Sequence, residues 1–414
     1  MKRFLCILIS ITAFSGSAQQ SISLQECYDL VTLNYPLAKQ TQLLEAQNTL
    51  ETAVVSNAKL PQLSLDAQAT YQSDVIEIPI SSIDPLNKDQ YRATFSVNQL
   101  LYNGGATGAS LALKSAQLKT NQKQIEVSLY QLRQQINQLY FSILLAQESK
   151  LLVKAKQEQL QAKLDEVRAG VTYGMLMPSS DKVLEAELLK IDQQYQELES
   201  SKNSLIETLG SLIKKPLTGA TQFQNPLIEI KVQPELTRPE LELFQYKKEE
   251  IAHSERFIGK QNAPKLHGFA TGGYGNPGLN MLDNSFQAFY TAGVKLHWNV
   301  FDWNANKKQR ESLAINKDLV DTEVEIFKLN THIELNKQQQ EIDKMEAIIT
   351  ADDAIIDLRK DVLLTASSQL KNGVITASAY LTELTNLYED ENTRVRHKIQ
   401  LQLAKVNYNV IKGL

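Results

Sequence analysis

The residues best suited to chemistry in this chain are five histidines, a lone cysteine and one glycine-rich stretch. They do not add up to a reactive set. His253, His267, His297, His332 and His397 lack the close paired spacing that holds zinc. "GGYGNPG" at 272–278 follows a strand-like segment but does not open a helix, which argues against a phosphate loop. Carboxylates are abundant, but they lie on polar helix faces where solvation accounts for them. Cys27 has no partner once Cys6 is removed with the N-terminal segment. It reads as a small buried residue of the first helix. No catalytic, cofactor-binding or metal-ligating residue is expected, and no residues remain to build a catalytic domain. Two of the histidines, His267 and His297, fall on strands, and their place there depends on the elements around them.

The N-terminus bears on compartment. Lys2 and Arg3 precede an 11-residue apolar run, Phe4 to Phe14, followed by Gly16-Ser17-Ala18. Residues 1–18 therefore read as a secretory signal peptide, too short to span a membrane as a helix. Cys6 lies inside the apolar run and is not a lipidation site. Cleavage lowers Lys+Arg from 43 to 41 against 47 Asp+Glu, a net charge of −6. That balance offers no basic footprint for nucleic acid. No other run of 18 apolar residues occurs, so no transmembrane helix is expected.

The chain repeats itself. Pro36 and Pro61 are 25 residues apart, as are Pro239 and Pro264. A shift of 203 carries the first pair onto the second, Tyr71 onto Tyr274, Gly170 onto Gly373 and Gly210 onto Gly413. "YRATFSVNQLLYNGGA" at 91–106 and "YTAGVKLHWNVFDWNA" at 290–305 match at 199 instead. The expected plan is a tandem duplication of helix, strand, strand, long helix, helix, over 19–210 and 238–414. On this count the segment between the second copy's strands is four residues shorter and its long helix four residues longer, absorbed as a coiled-coil stutter. A connector at 211–237 contains Pro216, Pro226 and Pro234, with a short strand expected at "PLIEIKV".

Within the long helices apolar residues recur every seven, from Leu111 through Val153 and Leu160 to Val167, and again from Leu335 to Leu370. This is a coiled-coil seam on helices about 100 Å long. Helices so long and polar elsewhere must pack on others. Four segments, at about 61–71, 91–101, 264–274 and 290–300, alternate apolar with polar residues as half-buried or membrane-barrel strands do. Their apolar faces carry Tyr71, Tyr91, Tyr274 and Tyr290 at the hairpin end. Trp298 gathers with Tyr102 and Phe301 at the other end. Aromatics at both ends mark lipid interfaces. Four strands cannot close a barrel, and an open edge in lipid costs several kcal/mol per unpaired group. Other copies must complete it, eight strands with two and twelve with three. Pairing Tyr274 with Tyr290 would also set His267 opposite His297 on the polar face, a candidate ring in the lumen.

These features together resemble the TolC-like outer-membrane efflux proteins. The likeness runs from "LQECYDLVTLNYPLAKQ" at residue 24 to "LAKVNYNVIKG" at 403, and includes "RPEL" at the start of the second copy and two Gly-Val turns. It implies an α+β membrane protein: a tandem-duplicated coiled-coil helical barrel with a twelve-stranded transmembrane β-barrel, four strands from each chain of a homotrimer. It implies residence in the outer membrane of a Gram-negative bacterium, contact with outer-membrane lipid, and a role as exit duct for a periplasmic adaptor and an inner-membrane transporter. Gly170, Val171, Gly373 and Val374 match the family's adaptor-contacting tips. On local grounds each glycine would end its helix in the left-handed conformation. Some members close the tip with a ring of Asp. Here the equivalent stretch is Ala379, Tyr380, Leu381 and Thr382, which puts an acidic gate in doubt and leaves Tyr380 as an aromatic constriction or a packing residue. The rival readings are a periplasmic helical-hairpin adaptor, which predicts a lipoyl-like or β-barrel domain for which no segment is seen, a structural coiled-coil protein, and a stand-alone porin, which predicts eight or more strands in one chain where four are found.

Overall fold

The structure, a computed structural model, describes residues 21–76, 85–230 and 235–414. The expected signal peptide, the middle of the first hairpin loop and residues 231–234 of the connector lie outside the described residues. The elements run β1 (Ser21–Ile22), α1 (Leu24–Asn34), α2 (Lys39–Asn57), β2 (Gln62–Tyr71), β3 (Asp89–Tyr102), α3 (Ala106–Thr172) and α4 (Ser180–Ile213), then β4 (Gln222–Phe223), α5 (Pro239–Gln261), β5 (Lys265–Asn276), β6 (Gln287–His297), α6 (Ala305–Lys371) and α7 (Ala377–Lys412). They divide between two compact units. One holds the described residues up to Ala38, Leu129–Thr237 and Thr331–Leu414; the other holds Lys39–Ser128 and Arg238–Asn330.

The first unit is helical, with two apolar clusters. In one, Cys27 and Val31 of α1 meet Ile136, Tyr140 and Leu144 of α3, Leu209 of α4 and Val410 of α7. Burial, reinforced by Glu26, pushes the Cys27 thiol up to about 12, which leaves it inert. The Tyr140 hydroxyl lies 2.7 Å from the Gln224 carbonyl and 3.0 Å from that of Ile22. It thereby ties α3 to the two-residue parallel ladder of β1 and β4. That ladder is where the connector forms a strand; Pro226–Ile230, expected to be extended strand, forms none. Buried Asn137 accepts from the Tyr28 hydroxyl and donates to Asn407 Oδ1 at 2.9 Å, so both ends of its amide are satisfied.

In the second cluster Val153, Leu160, Leu164 and Val167 of α3 pack with Ile356, Leu363 and Leu370 of α6, Leu184 and Ile191 of α4, and Tyr380 and Leu384 of α7. The heptad positions Val153, Leu160 and Val167 are all buried. Lysines on the same helix roof the tyrosines: Lys156 Nζ lies 4.8 Å from the Tyr388 ring and 3.1 Å from Glu187, and Lys163 lies 5.4 Å from Tyr380. Leu160 is 0% exposed. Leu160→Ala should lower stability by about 2–5 kcal/mol, the range for a buried leucine truncation. Denaturant midpoints measured in detergent check this; a change under about 0.5 kcal/mol would be that of a surface site.

The order helix, strand, strand, long helix, helix occurs twice, and the offset between the two runs corrects the expected bookkeeping. It is 203 at Pro36 and Pro239 and at the starts of β2 and β5, Gln62 and Lys265. From the strand-to-helix junction onward it is 199. Gly104-Gly105 before α3 and Trp303-Asn304 before α6 are all left-handed, with φ of 63, 84, 55 and 61°. A Cβ on Gly104 would come within 2.1 Å of the Ala263 Cβ, so only glycine fits the first copy's turn. The second copy holds the same bend with non-glycine residues, at roughly 1–2 kcal/mol each. α3 and α6 are each 67 residues long. The second long helix is therefore not four residues longer, and no stutter is required: the shortening between the strands is never made up. The matches at 203 beyond the strands are displaced by one helical turn. Left-handed Gly413 at the end of α7 corresponds to left-handed Lys214 after α4, not to Gly210.

Candidate functional site

The second unit carries a four-stranded antiparallel sheet in the order β2-β3-β5-β6. Register keeps the two faces chemically distinct across all four strands. One row reads Leu65, Phe95, Gly272, Tyr290; the next on that face reads Leu63, Val97, Ala270, Ala292. The other face carries a row of Ser64, Ser96, Thr271 and Thr291, with Ser96 Oγ 3.0 Å from Thr271 Oγ1. Nothing among the described residues covers the apolar face: Leu65 is 76% exposed and Tyr290 83%. β2 and β6 are the sheet's open edges.

Alternation alone did not reveal two phenylalanines on the polar face. Phe269 lies opposite Gly293 and Phe289 opposite Gly273. A Cβ on Gly273 would meet the Phe289 ring at 2.5 Å, and one on Gly293 would meet Phe269 at 3.1 Å. Each ring covers the glycine across from it, the arrangement by which aromatics rescue glycine in sheets. The Arg92 guanidinium sits 5.6 Å above Phe289.

The expected opposition of His267 and His297 fails on register, although both remain on the polar face in consecutive rows. Tyr290 pairs with Gly272, not Tyr274, so His267 faces Lys295 and His297 faces Lys265. The first hairpin has the same offset, Ala69 opposite Tyr91. In both copies a small residue sits across from the second tyrosine, and the two tyrosines lie on a diagonal. Tyr71, Tyr91, Tyr274 and Tyr290 all fall towards the hairpin end of their strands; Trp298 follows the last residue of β6.

The helical turns lie in the first unit. Gly170 is inside α3, and its carbonyl accepts from Met175 N at 2.8 Å and Leu176 N at 3.1 Å. Gly174 is the left-handed residue of this turn, φ 68°, and matches Gly373, φ 67°, in the α6–α7 turn. The expected left-handed cap at Gly170 is thus displaced by four residues, the same single turn as above. Val171 packs against the second cluster, whereas Tyr173, Met175, Met177 and Val374 are exposed. The two turns touch: a Cβ on Gly373 would lie 3.3 Å from the Met175 carbonyl. Thr376 caps α7, accepting from Ala379 N at 3.2 Å. Tyr380 is 1% exposed and packs within the second apolar cluster.

Along α6, Ile326, Leu329 and Ile333, and again Ile355, Leu358 and Val362, recur at i, i+3, i+7 and remain uncovered. This second apolar stripe, beside the buried heptad seam, escaped the sequence reading. Among the described residues no group of three or more His, Cys, Asp or Glu is placed to hold a metal ion. No helix there is long and apolar enough to cross a membrane.

No family model and no curated protein matches the sequence. Solved structures do match in shape. The outer membrane protein VceC from Vibrio cholerae superposes with a TM-score of 0.66 at 14% identity, over 93% of this chain and 95% of that one. A membrane protein from Pseudomonas aeruginosa gives 0.69 at 14%, over 94% and 90%. The CmeC outer membrane channel of Campylobacter jejuni gives 0.65 at 14%, over 94% and 85%. Over nearly its whole length, this chain has the fold of the outer-membrane channel proteins.

Proposed function

We propose that the protein is an exit duct in the outer membrane of a Gram-negative bacterium, working as a homotrimer with a periplasmic adaptor and an inner-membrane transporter. The observation that carries this reading is the sheet, with one uncovered apolar face, one polar face and two open edges. In water each exposed Leu, Val or Phe forgoes about 1.5–3 kcal/mol of burial. Lipid accepts that face but cannot satisfy an open edge. Three copies, each pairing β6 with the next copy's β2, close twelve strands and leave no edge. Strands of 10 to 14 residues suit the roughly 9–11 a membrane strand requires. Tyr71, Tyr91, Tyr274 and Tyr290 then mark one lipid interface and Trp298 the other. The polar face lines the lumen. The fold neighbours support a channel over an enzyme, an adaptor or a structural coiled coil.

The tips are the proposed adaptor contact. The exposed surface there belongs to Tyr173, Met175, Met177 and Val374 beside Gly174 and Gly373; Gly170 and Val171 hold the end of α3 beneath them. In a Gly174→Val, Gly373→Val double variant both side chains are forced into the left-handed region, at roughly 1–2 kcal/mol each. Trimer yield in the membrane should stay near normal. The variant should not restore whichever export defect a deletion strain shows. Full restoration would place adaptor docking elsewhere.

A further inference from the structure

The register that separates the histidines also groups four nitrogen-bearing side chains. Lys265 lies opposite His297 and His267 opposite Lys295, in consecutive rows of the polar face at the end of β5 and β6 nearest the long helices. The rows are about 7 Å apart along the strands, and partners are about 5 Å apart across them. Each lysine faces an imidazole, which avoids setting two ammonium groups directly opposite. Neither lysine forms an ion pair among the described residues, and Lys295 is exposed. The other charged strand residues of this face are Asp66 and Arg92. Asp66 is level with Thr94 and so with Gly273, eight residues along β5 from Lys265, or about 27 Å. Its carboxylate is engaged by Ser64 Oγ at 3.3 Å. No carboxylate in the strands offsets the patch.

Resting on the duct reading above, we infer that Lys265 and Lys295 form a cationic collar in the lumen that favours anions. Three copies bring each lysine three times to two adjacent levels of the polar passage. Like charge lining a confined site concentrates counter-ions there. The collar selects small inorganic and carboxylate- or phosphate-bearing solutes over cations of similar size.

Reversal potentials of the purified protein in planar bilayers under a potassium chloride gradient test this. The wild-type channel should pass chloride in preference to potassium. The Lys265→Gln, Lys295→Gln variant should lose roughly threefold or more of that preference, while the Lys265→Arg, Lys295→Arg variant should keep it. A wild-type channel that prefers potassium, or equal selectivity in wild type and the glutamine variant, overturns the collar and leaves the duct standing. Absence of any conductance from correctly assembled protein overturns the duct reading, and the collar with it.

Discussion

Replacing Leu65 with arginine should cut the amount of assembled protein in the outer membrane by at least about 30-fold, the equivalent of the 2–4 kcal/mol by which arginine disfavours the lipid face of a barrel at mid-depth. Leu65 stands in the row with Phe95, Gly272 and Tyr290, on the face that nothing among the described residues covers. In a trimer the penalty is incurred in every copy. The matching change one residue earlier, Ser64→Arg, falls in the row with Ser96, Thr271 and Thr291. There it meets the proposed lumen, and yield should stay within about twofold of the parent, as for an ordinary surface site. Heat-resistant trimer on semi-native gels, quantified from membrane fractions, reads both variants. Equal damage from the two would mean that the faces do not divide lipid from water.

The second large effect is expected on α6. Leu358 is 68% exposed and sits in the stripe with Ile355 and Val362, a face that in the proposed trimer would meet the neighbouring copy. Leu358→Glu removes the burial of a leucine, about 1.5–3 kcal/mol, at each of three interfaces and desolvates a carboxylate there as well. The trimer should come apart at lower temperature or denaturant, while the helix content of the separated chains is unchanged. Lys360→Glu, two residues along and about 200° round the helix, should leave assembly intact. A Leu358→Glu trimer as resistant as the parent would mean that this stripe is not an interface between copies.

The main features legible from sequence were those whose period is enforced by a face. Alternation in 62–71 and 91–98 set which side chains share a surface, and the heptad seam set Val153, Leu160 and Val167 into the core, where all three are buried. The register and offset misreadings share one cause: a shift that leaves the face unchanged leaves no trace in the pattern. Sliding β5 against β6 by two residues keeps every side chain on its own side, so alternation could not choose between Tyr274 and Gly272 as the partner of Tyr290. A four-residue slip along a helix is about one turn, so the offsets 203 and 199 present nearly the same apolar stripe. That is how Gly170 stood in for Gly174 and Gly210 for Lys214. What separated them was backbone conformation, the left-handed residues that end each helix. A lysine in such a place, as at Lys214, gives little warning. Phe269 and Phe289 escaped notice because they break the alternation, and only the glycines across the register account for them.

The central claim is that four strands per chain, with two open edges, become a closed barrel only by assembly. The most direct measurement is the mass of the detergent-extracted particle by light scattering, corrected for bound detergent and taken alongside circular dichroism. The expected mass is three times that of the chain, 46.6 kDa before removal of the N-terminal segment, with a strong β-sheet contribution to the spectrum. A stable monomer that keeps its β-sheet signal would show that the sheet needs no neighbouring strands, and would contradict the account.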